Sequence, residues 1–406
     1  MKKIILSIVA VMSISSVVSG ADTIHESLKN GKFSVKARVF YFDRSFDKPN
    51  TDDAQALTAG GIMKYESESF NGLKVGFAYY GSHRLGGFFS REEGKGSSIL
   101  GRKGEDLNFL GEAYLQYNVA KSMIKVGRQK LSTPLMQNHD LRILPSVYEA
   151  AVFQNKDIPD TTIELGHVWS YTGFTSKDNK FLDQNAKWGK DGLAYISIKN
   201  SSVKNLSVRA QYITAISDKD KTGNKIWISD YRFADAKYLI PIGTNTYIKA
   251  QYGGNSFNQA KSANFPSSDS RLLGAKLGTT FGMFDVTLLV DDVSGNAFKA
   301  IESGPMYSDW QQGYGPYEPS TAVGGQLTIR AIADLSVKLA YVDVSADKNF
   351  RTDGTFTDDY QEFNVDAHYK INDYSKLRVR YSKKDQSSES DRENRDDFRI
   401  IYYINF

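Results

Sequence analysis

Asp397-Phe398-Arg399-Ile400-Ile401-Tyr402-Tyr403-Ile404-Asn405-Phe406 ends the chain and decides its fold. Every second residue, Phe398, Ile400, Tyr402, Ile404 and Phe406, forms one row, mostly apolar and ending in an aromatic ring. The alternate row, Arg399, Ile401, Tyr403 and Asn405, is mixed and more polar. In a strand the two rows face opposite sides of the sheet. A soluble strand rarely places five large apolar groups on one face and then stops at a C-terminal Phe. A strand of roughly 10 residues has the length that crosses a bilayer at a tilt. Lipid tolerates no open edge, so a terminal strand of this kind must close a barrel.

The composition agrees. The 406 residues carry 51 Lys+Arg against 47 Asp+Glu, yet 13% are aromatic, and mean hydropathy is negative at -0.43. A chain hydrophilic on average but rich in Tyr and Phe suits a barrel with a wet lumen, an apolar outer band and two aromatic girdles. With no cysteine, neither disulfides nor thiolate metal sites hold it together. Lys2 and Lys3, an apolar run from Ile4 to Val18 and the small residues Ser19-Gly20-Ala21 read as a signal peptide over 1–21. Past it no run of about 18 apolar residues occurs, which excludes a transmembrane helix. Loss of Lys2 and Lys3 takes the formal charge from +4 to +2, no basis for nucleic-acid binding.

From residue 33 the alternation recurs. Phe33, Val35, Ala37, Val39 and Tyr41 interleave with Ser34, Lys36 and Arg38; Leu73, Val75, Phe77 and Tyr79 interleave with Lys74, Gly76 and Ala78. Asn71-Gly72 marks a tight hairpin. Further short turns fall at Ala120-Lys121-Ser122, Pro159-Asp160, 201–205, Pro241-Ile242-Gly243, Phe281-Gly282-Met283, Ala333-Asp334 and Asn372-Asp373. Between them lie long polar loops, including 131–145, 171–190, 254–269 and 293–319. Short turns alternating with long loops are the periplasmic and extracellular ends of an outer-membrane barrel. The expectation is an all-β, antiparallel transmembrane barrel over 22–406, with about eighteen strands, good to about two.

Sorted by strand parity, Lys36, Arg38, Arg209, Arg330, Arg378, Arg380 and Arg399 fall opposite the apolar rows. Barrel closure would make the penultimate, last and first strands neighbours. Lys36, Arg38, Arg378, Arg380 and Arg399 should then share one wall of the lumen. Such a strip attracts anions and offers successive weak sites along a path.

The stretch Val126-Gly-Arg-Gln-Lys-Leu-Ser-Thr-Pro-Leu-Met-Gln-Asn-His-Asp-Leu-Arg-Ile-Leu-Pro-Ser-Val-Tyr-Glu-Ala150 resembles the third-loop region of the OprD-type porins. It has a strand with Gly near its end, a Leu-x-x-Pro segment, an Asp-x-Arg-x-Leu-Pro core and an aromatic-Glu pair. The resemblance implies an 18-stranded barrel, a monomer or homotrimer, that passes small carboxylate-bearing solutes past a loop (131–145) folded into the lumen. Asp140, Arg142 and Pro145 match the core of that loop, while His139 departs from the Asn or similar polar residue expected there. Tyr148 and Glu149 would begin the returning strand, with Glu149 a lumen acid facing the basic strip. Phe406 resembles the terminal aromatic by which outer-membrane barrels are recognised for assembly.

Enzymatic signatures are absent. The histidines at 25, 83, 139, 167 and 368 have no metal-ligand spacing, and no metal site or cofactor is expected. The function expected is passive diffusion of small hydrophilic solutes across the outer membrane of a Gram-negative bacterium. Outer-membrane lipid, lipopolysaccharide and the barrel-assembly machinery are the partners implied. A surface adhesin or structural barrel, and less so a barrel lipase, are the alternatives.

Overall fold

The computed structural model describes residues 20–47, 53–86, 105–138, 142–173, 188–220, 222–258, 269–302, 304–308, 319–347, 359–386 and 394–406, and the backbone of 351–352 and 355–356. A short helix, α1 (Ile24–Lys29), precedes β1 (Lys32–Phe46), β2 (Ala54–Glu66), β3 (Leu73–Arg84), β4 (Leu107–Val119) and β5 (Ser122–Gln129). Then come β6 (Val147–Asn155), β7 (Thr161–Thr172), β8 (Leu193–Asn200), β9 (Leu206–Ala215) and β10 (Ile228–Ile240). The chain continues through β11 (Thr246–Phe257), β12 (Asp269–Phe281), β13 (Phe284–Gly295), β14 (Ser320–Ile332) and β15 (Leu335–Ala346). β16 (Arg351–Thr352) and β17 (Thr355–Phe356) make a separate two-stranded hairpin. β18 (Tyr360–Lys370), β19 (Ser375–Gln386) and β20 (Arg395–Asn405) complete the chain.

Eighteen of these strands form one sheet in which sequence neighbours pair antiparallel, with β15 passing directly to β18. β20 pairs with β1 from Lys36↔Asn405 to Phe46↔Arg395, and the sheet closes on itself. Closure removes the last edge, so the sheet can span lipid although no helix among the described residues is long and apolar enough to cross a membrane. The seam is finished by Phe406, whose amide donates to the Val35 carbonyl at 2.9 Å while the Val35 amide donates to the Phe406 carbonyl at 3.0 Å.

The turns at one end are local chemistry. Asn71 and Gly72 both have positive φ (49° and 86°), the backbone that Asn-Gly adopts readily in a two-residue hairpin. Ala120, Asp160, Asn205 and Asp334 also occupy left-handed space at the turns expected there. At the β18–β19 turn the Asn372 side-chain oxygen accepts from the amides of Tyr374 and Ser375 instead.

The two rows of each strand separate as their chemistry requires. On β20, Phe398 and Ile400 are exposed on the outer surface and Arg399, Ile401 and Tyr403 are buried toward the lumen. The core therefore lies inside the barrel and is packed by inserted loops. One apolar cluster joins Leu131, Leu135 and Met136 of the 130–146 loop to Phe233 and Phe257 of the wall and Phe298 of the 296–308 segment. A second joins Ile143 and Leu144 of the same loop to Phe40, Phe42, Tyr80 and Ile401.

Candidate functional site: the lumen constriction

The 130–146 loop crosses the lumen between two walls. At one end Gln211 of β9 grips it, accepting from the Leu135 amide and donating to the Thr133 hydroxyl, both at 2.8 Å. At the other end Arg38 of β1 donates to the Arg142 carbonyl at 3.0 Å. A second loop, 296–308, folds in beside it. The Ile301 amide donates to the Leu135 carbonyl at 3.1 Å, and the Ser308 amide and hydroxyl both donate to buried Asp291 of β13 at 2.7 Å. Burial of these polar groups with partners fixes both loops, because an unpartnered buried amide or carboxylate is costly.

The wall met by Arg142 is the one that barrel closure assembles from β18, β19, β20 and β1. Arg380 of β19 lies directly opposite Arg399 of β20, and Arg399 opposite Phe42 of β1. The guanidiniums of Arg44, Arg142 and Arg399 lie 5.3, 5.3 and 5.2 Å from the centre of the Phe42 ring. Tyr403 carries Arg38 at 4.8 Å and Lys376 at 4.4 Å. The faces of these rings are negative and hold the cations close together. Among the described carboxylates of this wall, Asp366 and Asp397 bind the arginines directly. Asp366 receives Arg378 through two bonds of 2.8 and 2.6 Å and stands 3.5 Å from Arg380. Asp397 receives Arg44 at 2.5 and 2.7 Å and Arg399 at 2.7 Å. Like charges opposite each other destabilise a sheet, and the two aspartates offset that repulsion.

Across the lumen, Arg209 of β9 forms a two-point bond with Asp235 of β10. Lys237 and Lys249 lie over the Tyr247 ring at 4.6 and 5.9 Å, and Lys276 over Tyr307 at 5.2 Å. On the β2–β5 wall, buried Glu112 accepts from Lys64 at 3.2 Å and from the Tyr80 hydroxyl at 2.9 Å, with Lys130 at 3.4 Å. No group of His, Asp or Glu with metal-ligand geometry occurs among the described residues.

A family model for outer membrane porins of the OprD family matches residues 26–405. The chain is an OprD-family porin. Its barrel is similar to solved structures that it nearly spans. Pseudomonas aeruginosa OpdK, solved with vanillate, has 16% identity and a TM-score of 0.74, covering 93% of this chain and 99% of that one. Acinetobacter baumannii OccAB3 has 15% identity and a TM-score of 0.77, with 93% and 99% covered. Pseudomonas aeruginosa OccK8 (OprE) has 16% identity and a TM-score of 0.75, with 94% and 99% covered. No curated protein shows significant sequence similarity to this chain.

Within the porin, Lys36, Arg38, Arg378, Arg380 and Arg399 occupy lumen rows of three consecutive strands, and Arg142 joins them from the loop. Arg209 stands on the facing wall, and Arg330 lies near the periplasmic turn in contact with Asp285. Pro145 is half-buried in the loop. His139 and Asp140 lie outside the described residues, as do residues 1–19 of the expected signal peptide. Glu149 departs from the expectation of a lumen acid. It shares the outward row of Phe153 and bonds Arg128 at 2.8 Å, and Arg128 lies on the outward row of Val126. Both rows of β6 are apolar enough to face either way. Tyr148 turned inward, where its ring stacks on Tyr171 at 5.7 Å, and so sent Glu149 out. Asp397 was within reach of the sequence, since it shares the parity of Arg399. The inserted 296–308 segment was masked by its polar surroundings; Phe298, Met306 and Tyr307 were its signal.

Proposed function

We propose that this porin lets small hydrophilic solutes, above all those bearing a carboxylate, diffuse passively across the outer membrane through the lumen, past the 130–146 loop and the arginine wall on which it packs. The observation that carries this reading is the Phe42 ring with Arg44, Arg142 and Arg399 around it. There the loop brings its own guanidinium to the side of the lumen already richest in them. Guanidinium groups receive carboxylates through paired hydrogen bonds. Successive weak sites of this kind favour entry without trapping the solute. Charges acting across a wet pore contribute about 1 kcal/mol or less each, which keeps residence short. The similar barrel OpdK is solved with vanillate, itself a carboxylate.

Lys36→Gln combined with Arg38→Gln tests the reading without stranding a carboxylate, because neither cation forms an ion pair among the described residues; Lys36→Gln alone, which leaves the Arg38 bond to the loop intact, should shift the reversal potential in the same direction. Arg378 and Arg380 are less suitable: removing them leaves Asp366 buried without its counterions, so Asp366→Asn must accompany them. In planar bilayers at low salt, the Lys36–Arg38 double variant should move the reversal potential toward cations and slow carboxylate uptake relative to neutral sugars. The change should be severalfold, since about 1.4 kcal/mol is a factor of ten. It should fade at 1 M salt, where screening acts within about 3 Å. An unchanged reversal potential at low salt would mean that this wall does not line the conducting path.

A further inference from the structure

Helix α1 has a capped start: the Thr23 hydroxyl accepts from the Glu26 amide, and Glu26 reaches back to the Thr23 amide. One side of the helix is pinned to the β2–β3 turn. The Ser27 hydroxyl donates to the Glu68 carbonyl at 2.6 Å, the Glu68 amide to the Ser27 carbonyl at 2.9 Å, and the Asn30 amide nitrogen to the Glu68 carboxylate at 3.1 Å. Tyr65, on the outward row of Met63, donates its hydroxyl to the Leu28 carbonyl. The helix therefore lies outside the barrel wall at its periplasmic rim. Ile24 and Leu28, four residues apart on one face, are exposed by 63% and 49%. Glu26 and Lys29 occupy the opposite arc, and exposed His25 lies on the flank between Leu28 and Lys29.

The rest of the rim gives this face its meaning. Ile158, Val203, Ile242, Met283, Ile332 and Ile371 stand exposed at or beside six periplasmic turns around the barrel. Beside the 67–72 turn, to which Glu68 ties α1, Leu73 is 40% exposed and continues the same rim. Phe33 and Phe406, also exposed, continue the apolar rim beside it.

We infer that α1 is an interfacial anchor, its Ile24–Leu28 face seated among the phospholipid headgroups and first acyl carbons of the periplasmic leaflet. It adds apolar contact beside the β2–β3 turn, and so extends the ring that holds the rim level with the leaflet. A short amphipathic helix lies in the interface plane in this way, apolar face down and charged face toward water. The partner is lipid because the face is continuous with side chains of the lipid-facing rows.

The chain has no cysteine of its own, so Ile24→Cys, Leu28→Cys, His25→Cys and Ile242→Cys each place one label. None of the four removes a group that pins the helix. Each variant is folded in vesicles of phosphatidylethanolamine and phosphatidylglycerol containing acyl-chain-brominated phosphatidylcholine, labelled with a polarity-sensitive fluorophore and exposed to iodide on both sides. Labels at Ile24 and Leu28 should be quenched by bromine as strongly as that at Ile242, and shielded from iodide severalfold relative to His25. Iodide access at Ile24 and Leu28 equal to that at His25 would overturn the anchor. Shielding from iodide without bromine quenching would overturn it too, since protein would then be the cover.

Discussion

On the β18–β19–β20–β1 wall, Asp366 and Asp397 each serve more than one guanidinium, whereas on the β9–β13 wall Asp235 and Asp291 each have a bracing task. Asp235 closes a two-point bond with Arg209, and Asp291 holds the 296–308 segment through Ser308. Both walls are basic, but their charge is used differently. Where acids are shared, several guanidiniums gather at one wall and meet that of Arg142 from the loop. Where acids brace, the lysines above them rest on tyrosine rings and the wall acts mainly as an anchor for the loops. On the proposed function, lumen charge counts toward selectivity only where it stands beside the inserted loops.

The contrast is most open to attack through its acids. Asp397→Asn should cost about 3 kcal/mol or more, because it removes the carboxylate that Arg44 and fully buried Arg399 share. Asp235→Asn should cost about 1 kcal/mol or less, since Arg209 is 43% exposed and water can replace its partner. Heat-modifiable migration and thermal unfolding in detergent measure both. Equal losses would show that the two walls hold their charges alike.

The loop ends allow a finer comparison. Gln211→Leu leaves the Leu135 amide buried without its acceptor, a loss of about 1–3 kcal/mol in loop anchoring. Open-channel noise should rise more than in Arg38→Gln, which removes one bond from a half-exposed donor. Greater noise from Arg38→Gln would place the main attachment on the arginine wall instead.

The smallest effect concerns the lysines. Lys237→Gln, Lys249→Gln and Lys276→Gln together remove three charges, each worth about 1 kcal/mol or less through water. The reversal potential should nevertheless move less than in Lys36→Gln with Arg38→Gln. A larger shift would make charge number, rather than placement beside the constriction, the source of selectivity.

What the sequence determined by itself was everything set by neighbours in the chain. Alternation decides which side of a strand meets lipid, so the outward row of Phe398, Ile400 and Tyr402 and the inward Arg399 could be read from ten residues. Asn71-Gly72 and Asp334 fix turns through their own backbone preferences, and the turns in order give topology and strand number. Barrel closure then follows from the ban on open edges in lipid, which brings Arg38, Arg378, Arg380 and Arg399 onto neighbouring strands. Tertiary structure decided what no local rule constrains. Two faces of similar polarity left β6 free to turn Tyr148 inward and Glu149 outward. The meeting of Arg142 with Phe42 joins residues a hundred positions apart, and Asp291 found Ser308 only once the second loop had folded inward. Such contacts depend on how side chains fill a shared interior volume, and that volume exists only after the barrel has closed.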